Sequence, residues 1–168
     1  AGNRLVTLTG AGGVGKTRLA VQLAAAIAEE FGDGVWYVDL APITAGEVVP
    51  VTVARALGLP DQPGRSTMDT LVRFVRDRQM LVVLDNCEHV IDQAARVAEA
   101  IFRDCLEVGL LATSREALRA EGEHVFPLPA LGTPERDPPA ASEVVAFAAA
   151  NLFVERAAAR PRLFDGAV

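Results

Sequence analysis

Short apolar runs alternate along this chain with longer stretches of helix formers. Arg4-Leu5-Val6-Thr7-Leu8-Thr9, Val35-Trp36-Tyr37-Val38-Asp39-Leu40 and Val108-Gly109-Leu110-Leu111-Ala112-Thr113 are apolar and rich in β-branched residues, as strands are. Met80-Leu81-Val82-Val83-Leu84 is continuously apolar and ends in Asp85, the pattern of a strand buried on both faces. Val125 and Phe126 begin a short fifth strand. Helical stretches fall between these runs. They are Arg18 to Ala28, Glu47 to Leu57 with Pro50 in its first turn, Ser66 to Arg78, and Val90 to Cys105. Ser66-Thr67-Met68-Asp69 resembles a capping box, and Ile91, Ala94, Ala95, Ala98, Ile101 and Phe102 share one side of their helix. Gly32-Asp33-Gly34 is a turn, and Gly58 to Gly64 reads as loop. Pro127 to Pro139, with five prolines, also reads as loop, and Ser142 caps a last helix running to about Ala159. Strands alternating with helices predict an α/β fold whose parallel sheet is covered on both faces.

The first strand and first helix enclose Gly10-Ala11-Gly12-Gly13-Val14-Gly15-Lys16-Thr17, which matches G-x-x-x-x-G-K-[ST]. Glycines let a backbone wrap closely round an anion, and the helix behind adds free N–H groups and partial positive charge. The amides of Gly12 to Lys16 then form a nest, Lys16 reaches the β- and γ-phosphates, and the Thr17 hydroxyl ligates Mg²⁺. Lys16 is the only lysine among 16 basic residues, and it falls in the slot that calls for an ammonium point charge. The same glycines also read as G-x-G-x-x-G, the dinucleotide fingerprint, with Asp39 closing the next strand as a ribose-binding acid does.

Asp85 resolves part of that ambiguity. A carboxylate ending an apolar strand stands at the carboxyl edge of the sheet, where it holds a water on the Mg²⁺ that Thr17 ligates. Thr113-Ser114-Arg115 ends the following strand on the same edge and offers a guanidinium to a γ-phosphate; the plainer reading of Arg115 opens a short helix, Glu116 to Arg119. A dinucleotide oxidoreductase needs neither Asp85 nor Arg115. Asn86 stands where many such ATPases place a second acid. Asparagine orients water but accepts no proton, so slow hydrolysis is expected. Glu88 could substitute, although it reads first as a solvated loop acid. Trp36 and Tyr37 read as core and Asp39 as a strand-end cap. Cys87, His89, Cys105 and His124 show no metal-ligand spacing.

Charge and composition narrow the partners. A net charge of -6 argues against a broad nucleic-acid-binding face on this segment. No run of eighteen apolar residues and no signal-peptide pattern is present, and two cysteines suit a reduced, cytoplasmic setting.

Taken together, Leu5 to Ala20, Val35-Trp36-Tyr37-Val38-Asp39-Leu40-Ala41-Pro42, Leu81 to Val90 and Ala112-Thr113-Ser114-Arg115-Glu116 resemble one family. They are similar to the NB-ARC-like STAND P-loop ATPase domains of bacterial LuxR-type and antibiotic-regulatory (SARP-type) transcription regulators. Leu152-Phe153-Val154-Glu155-Arg156-Ala157 is similar to the helix that follows their nucleotide core. The resemblance implies a P-loop NTPase with strand order 2-3-4-1-5, ATP or ADP with Mg²⁺ as ligand, and a nucleotide-controlled switch. It implies Gly10 to Thr17 as phosphate loop, Asp85 as the acid on the Mg²⁺ side and Arg115 as γ-phosphate sensor. Residues 1–131 would form the nucleotide-binding core. Residues 132–168 would form a linker and an apolar helix leading to a downstream subdomain, with adenine-contacting and DNA-binding parts elsewhere in a longer protein. Partners would be nucleotide, those other domains and, in one nucleotide state, further copies of the chain. A P-loop small-molecule kinase is the rival from another class; it needs an Arg-rich lid, and Pro127 to Pro139 contains only Arg136.

Overall fold

The computed structural model describes residues 3–60 and 64–129. Five parallel strands form one sheet: β1 (Leu5–Thr9), β2 (Val35–Asp39), β3 (Leu81–Asp85), β4 (Gly109–Ser114) and β5 (Glu123–Pro127). Their order is β2-β3-β4-β1-β5, as the family resemblance implies. The helices are α1 (Lys16–Ala26), α2 (Val49–Ala56), α3 (Thr67–Val75) and α4 (Ile91–Asp104). With all strands running one way, their carboxyl ends, and the loops that leave them, share one edge of the sheet.

Side-chain alternation divides the core in two. Val82 and Leu84 of β3 pack with Val53 of α2, Val75 of α3 and Ile101 of α4. Leu81 and Val83 point to the other face, where Leu8, Leu111 and the α1 alanines Ala20 and Ala24 close a smaller cluster. Every residue of β3 is therefore buried, which is why its sequence shows no polar alternation. Arg4 joins the start of β1 to the end of α4. Its guanidinium donates to the Cys105 and Phe102 carbonyls at 2.7 and 2.9 Å and lies over the Phe102 ring, placing a cation at the negative end of the helix.

Boundaries differ from expectation in instructive places. The Ser66 hydroxyl accepts from the Asp69 N–H, as a cap should, but α3 ends at Val75 rather than near Arg78. Arg78 instead lies over the Phe74 ring and donates to the Phe74 carbonyl. On α4 the fully buried positions are Ala94, Val97, Ala98 and Ile101; Val97 completes the i, i+3, i+4, i+7 face that the sequence reading left without it. Pro127 is not loop but the last residue of β5. Among the described residues this strand pairs only with β1 and stands at the sheet margin, where a missing N–H is tolerated. Residues 116–119 form no helix; the Leu118 and Arg119 N–H groups both donate to the Glu123 carboxylate at 2.8 Å. The expected linker and last helix, and with them the division at residue 131, lie outside the described residues.

Ile101 is fully buried in the larger cluster, whereas Leu106, just past the helix, is 71 % exposed. Ile101→Ala is expected to lower unfolding free energy by about 2–5 kcal/mol, and Leu106→Ala by less than about 0.5 kcal/mol, in urea titrations.

Candidate functional site

The glycine loop bridges β1 and α1. Two of its glycines are required by geometry. A Cβ on Gly10 (φ +152°) would sit 2.7 Å from the Leu128 carbonyl oxygen, held there because the Leu128 N–H donates to Thr9 O at 2.7 Å. Gly15 caps α1 in the left-handed conformation (φ +94°), which a side chain rarely adopts. The turn it makes leaves the first turn of α1 with no capping side chain and no acidic residue. Those amides, with the helix dipole behind them, suit an anion. Gly12, Gly13 and Ala11 are exposed along the loop, and Val14 is half-buried.

Lys16 is buried, 8 % exposed, although it is the first residue of α1. Its ammonium donates to the carbonyls of Gly10 and Ala11 at 2.8 and 2.9 Å. Two of its three donors are thus spent on the loop it serves. The contact holds the one lysine of the chain at the loop's mouth rather than out in solvent.

Asp85 is the centre of the second half. The residue is 1 % exposed, and four neutral donors converge on its carboxylate. The Thr17 hydroxyl donates to Oδ1 and Oδ2 at 2.9 and 3.1 Å, and the Tyr37 hydroxyl to Oδ2 at 2.7 Å. The Asn86 side-chain amide reaches Oδ2 at 2.9 Å, and the Thr113 hydroxyl donates to Oδ1. Thr113 has one proton to give, and its direction is set because its oxygen accepts from the Asn86 N–H at 3.0 Å. Asn86 reaches both positions by taking a left-handed turn (φ +61°), which asparagine tolerates better than most residues.

Register explains the convergence. Pairing of Leu84 with Ala112 puts Asp85 and Thr113 side by side at the ends of β3 and β4. Pairing of Tyr37 with Val83 puts Tyr37 one diagonal step from Asp85 on the α1 face, within reach of an aromatic side chain. Tyr37 is therefore a site residue that sequence reasoning assigned to the core. The signal was present: Tyr37 and Asp39 share the parity of β2 that faces α1, while Trp36 and Val38 pack into the larger cluster. Tyr37 is 45 % exposed, yet partial desolvation of its hydroxyl, the hydrogen bond to Asp85 and that carboxylate's charge push the hydroxyl pKa above its ordinary value. Asp39 behaves as a strand-end cap, accepting from the Ala41 N–H at 2.9 Å and lying 3.5 Å from the Asn86 amide.

Arg115, just past β4, lies over the glycine loop. A Cβ built on Gly12 would be 3.9 Å from its Nη2. Its Nε is 3.3 Å from Glu88 Oε1. Glu88 is thus a paired, largely covered acid, 23 % exposed, and not the solvated loop acid expected from sequence. Cys87 is fully buried, its thiol donates to the Leu84 carbonyl, and burial followed by the charges of Asp85 and Glu88 pushes its pKa up to about 12. His89 Nε2 donates to the Leu40 carbonyl at 2.9 Å. Among the described residues no three of His, Cys, Asp and Glu come together as a metal-holding group. For Mg²⁺ the structure offers instead an adjacent hydroxyl and carboxylate, Thr17 and Asp85, the hard oxygen donors this ion takes when substrate phosphates and water complete its shell.

Residues 1–135 match the family described as AAA domain. A candidate HTH-type transcriptional regulator of Mycobacterium tuberculosis (strain H37Rv) is 56% identical over 129 residues, covering 77% of this chain but 14% of that protein. Regulatory protein AfsR of Streptomyces coelicolor is 44% identical over 87 residues, 47% of this chain and 9% of its own length. This chain thus spans a small part of these relatives. Among solved structures, the crystal structure of CDC6P from Pyrobaculum aerophilum superposes with a TM-score of 0.59 at 18% identity, covering 92% of this chain and 43% of that one. At that identity the likeness concerns the fold.

The chain contains one tyrosine, so ultraviolet titration reports Tyr37 alone. In the folded protein, tyrosinate absorbance is expected to stay low past pH 10, where the denatured chain titrates. The folded pKa lies above the unfolded one. The stabilising contribution of Tyr37 is therefore whole below about pH 10 and is lost as pH rises through the folded value. Coincident titration curves for folded and denatured protein would contradict the Tyr37–Asp85 contact.

Proposed function

The chain belongs to the AAA domain family, and from that membership and the geometry of its sheet edge we propose that it is a nucleotide-controlled switch with slow, Mg²⁺-dependent ATP hydrolysis. As an AAA-type P-loop ATPase domain it belongs to a class that binds nucleotide with Mg²⁺, and its relatives include transcription regulators. The finer reading is a STAND, NB-ARC-like module working in the cytoplasm within a longer signalling or transcription-regulatory protein. On this reading residues 1–131 are the core, 132–168 lead to a further subdomain, and DNA contacts lie outside the segment. No helix among the described residues is long and apolar enough to cross a membrane.

One observation carries the reading. The Thr17 hydroxyl and the Asp85 carboxylate touch at 2.9 Å, beside a buried lysine and the uncapped first turn of α1. The glycine-loop amides would cradle the phosphates, and Lys16 would exchange its two loop carbonyls for β- and γ-phosphate oxygens. Thr17 and Asp85 would hold Mg²⁺, directly and through water. When bound, the ion neutralises charge developing on the β- and γ-oxygens. Tyr37, Asn86 and Thr113 would keep the Asp85 carboxylate aimed while Thr17 changes partner. Arg115 would engage the γ-phosphate from above Gly12. Asn86 donates through its amide and accepts no proton, which favours a slow switch over a fast motor.

Titration with ATP, ADP and NAD, each with and without Mg²⁺, tests the assignment. ATP and ADP are expected to bind, ATP with clear Mg²⁺ dependence, and NAD to bind far more weakly; tight NAD binding would overturn the reading. Fast turnover with a small-molecule acceptor would favour the kinase. Lys16→Ala is expected to weaken ATP binding at least about a hundredfold, since it removes a buried charge-assisted partner of the phosphates. Asp85→Asn is expected to abolish the Mg²⁺ dependence with a smaller effect on metal-free nucleotide binding, read by calorimetry.

A further inference from the structure

The pair Glu88–Arg115 has no part in the scheme above, and its geometry is odd for a contact kept for stability. Glu88 sits in a turn of 3-10 helix (Cys87–His89) that follows the left-handed Asn86. This turn carries its carboxylate from the end of β3 across to Arg115 beyond the end of β4. A stabilising arginine–carboxylate pair is commonly a two-pronged fork. Here the recorded approach is Nε to Oε1, at 3.3 Å. Glu88 Oε2 is buried and has no hydrogen-bond partner among the described residues. A buried acceptor left unsatisfied is costly, and such an atom calls for a reason. The arginine itself is 68 % exposed, with Nη2 turned over Gly12 of the loop. One guanidinium thus stands between two anionic claims, a carboxylate on one side and a phosphate cradle on the other.

We propose that Glu88 sets the discrimination between ATP and ADP by competing with the γ-phosphate for Arg115. This rests on the nucleotide-switch reading. A diphosphate does not extend to the guanidinium and leaves the pair closed. Nη2 hangs so close over the loop, 3.9 Å from a Cβ built on Gly12, that a terminal phosphate gains the contact only by displacing the guanidinium, which draws Arg115 off Glu88. The triphosphate therefore binds less tightly than the loop alone would allow, by the free energy of the pair, and a ligand shifts a two-state element only by such a difference. An ion pair whose arginine is largely exposed is weak, so the handicap is roughly two- to fivefold in affinity. That is small enough for the triphosphate to overcome, and large enough to bias the resting domain toward its ADP form. Opening the pair also strips the cation from a carboxylate in the turn that leads straight into α4. The presence of a third phosphate is thereby passed to a helix that packs on the opposite face of the sheet.

Affinities for β,γ-imido-ATP and for ADP, both with Mg²⁺, are measured by calorimetry on the unmodified chain, Glu88→Gln, Arg115→Ala and the double variant. Glu88→Gln is expected to raise the ratio of triphosphate to diphosphate affinity roughly two- to fivefold. Arg115→Ala is expected to lower that ratio, and in its background Glu88→Gln should produce no gain. Should Glu88→Gln fail to fold by thermal melting, Glu88→Asp, which shortens the reach to Nε, is expected to raise the ratio in the same sense. An unchanged ratio in the Glu88 variant overturns the proposal while the switch reading stands. So does a gain that persists without Arg115. An unmodified chain that binds neither nucleotide overturns the switch reading and this proposal with it.

Discussion

The carboxylate of a residue only 1 % exposed, held by four uncharged donors, is the constraint around which this domain is arranged. Moving a bare carboxylate out of water is expensive unless every lone pair finds a partner. At Asp85 the partners come from α1, β2, β4 and the turn after β3. Displacing α1, or slipping β2 or β4 by one residue against β3, would cost the charge a partner. Three of the four donors are hydroxyls, which rotate. Such a shell satisfies the anion with groups that can reorient.

The two faces of the sheet divide the labour. Three helices and most of the apolar burial lie on one side, and the site faces the other, covered mainly by α1. Rigidity is thus drawn from a thick core, while the candidate site groups sit on the strand ends above a thinner one. The same parity rule that sends Val82 and Leu84 into the thick core sends Tyr37, Asp85 and Thr113 toward α1. A site assembled by alternation inherits the precision of the strand ladder.

Much of this was legible beforehand. The glycine loop, the strands ending in Asp85 and at Thr113-Ser114-Arg115, and the α/β class follow from apolar runs and turn residues; strand order came from family resemblance. What escaped was non-local. Tyr37 reads as core because its neighbours are apolar, and only register shows that it leans on Asp85. Glu88 reads as solvated because its neighbours are polar, and only the left-handed Asn86 turns it toward Arg115. Pro127 reads as loop because a local rule cannot know which strand will lie at the margin of a sheet. Local chemistry predicts elements; partners across the sheet depend on order and register.

The thiol of Cys87 follows directly on the Asp85–Asn86 pair, yet it is sealed from solvent and its proton is held by burial and two neighbouring carboxylates. Cys105 is sealed in the same way, its pKa likewise raised by burial. Peroxides and electrophiles attack thiolates, and neither sulfur supplies one near neutral pH. Oxidants and electrophiles therefore find no ready thiolate among the described residues, although one of the two cysteines lies only two residues from the most heavily hydrogen-bonded carboxylate of the sheet edge.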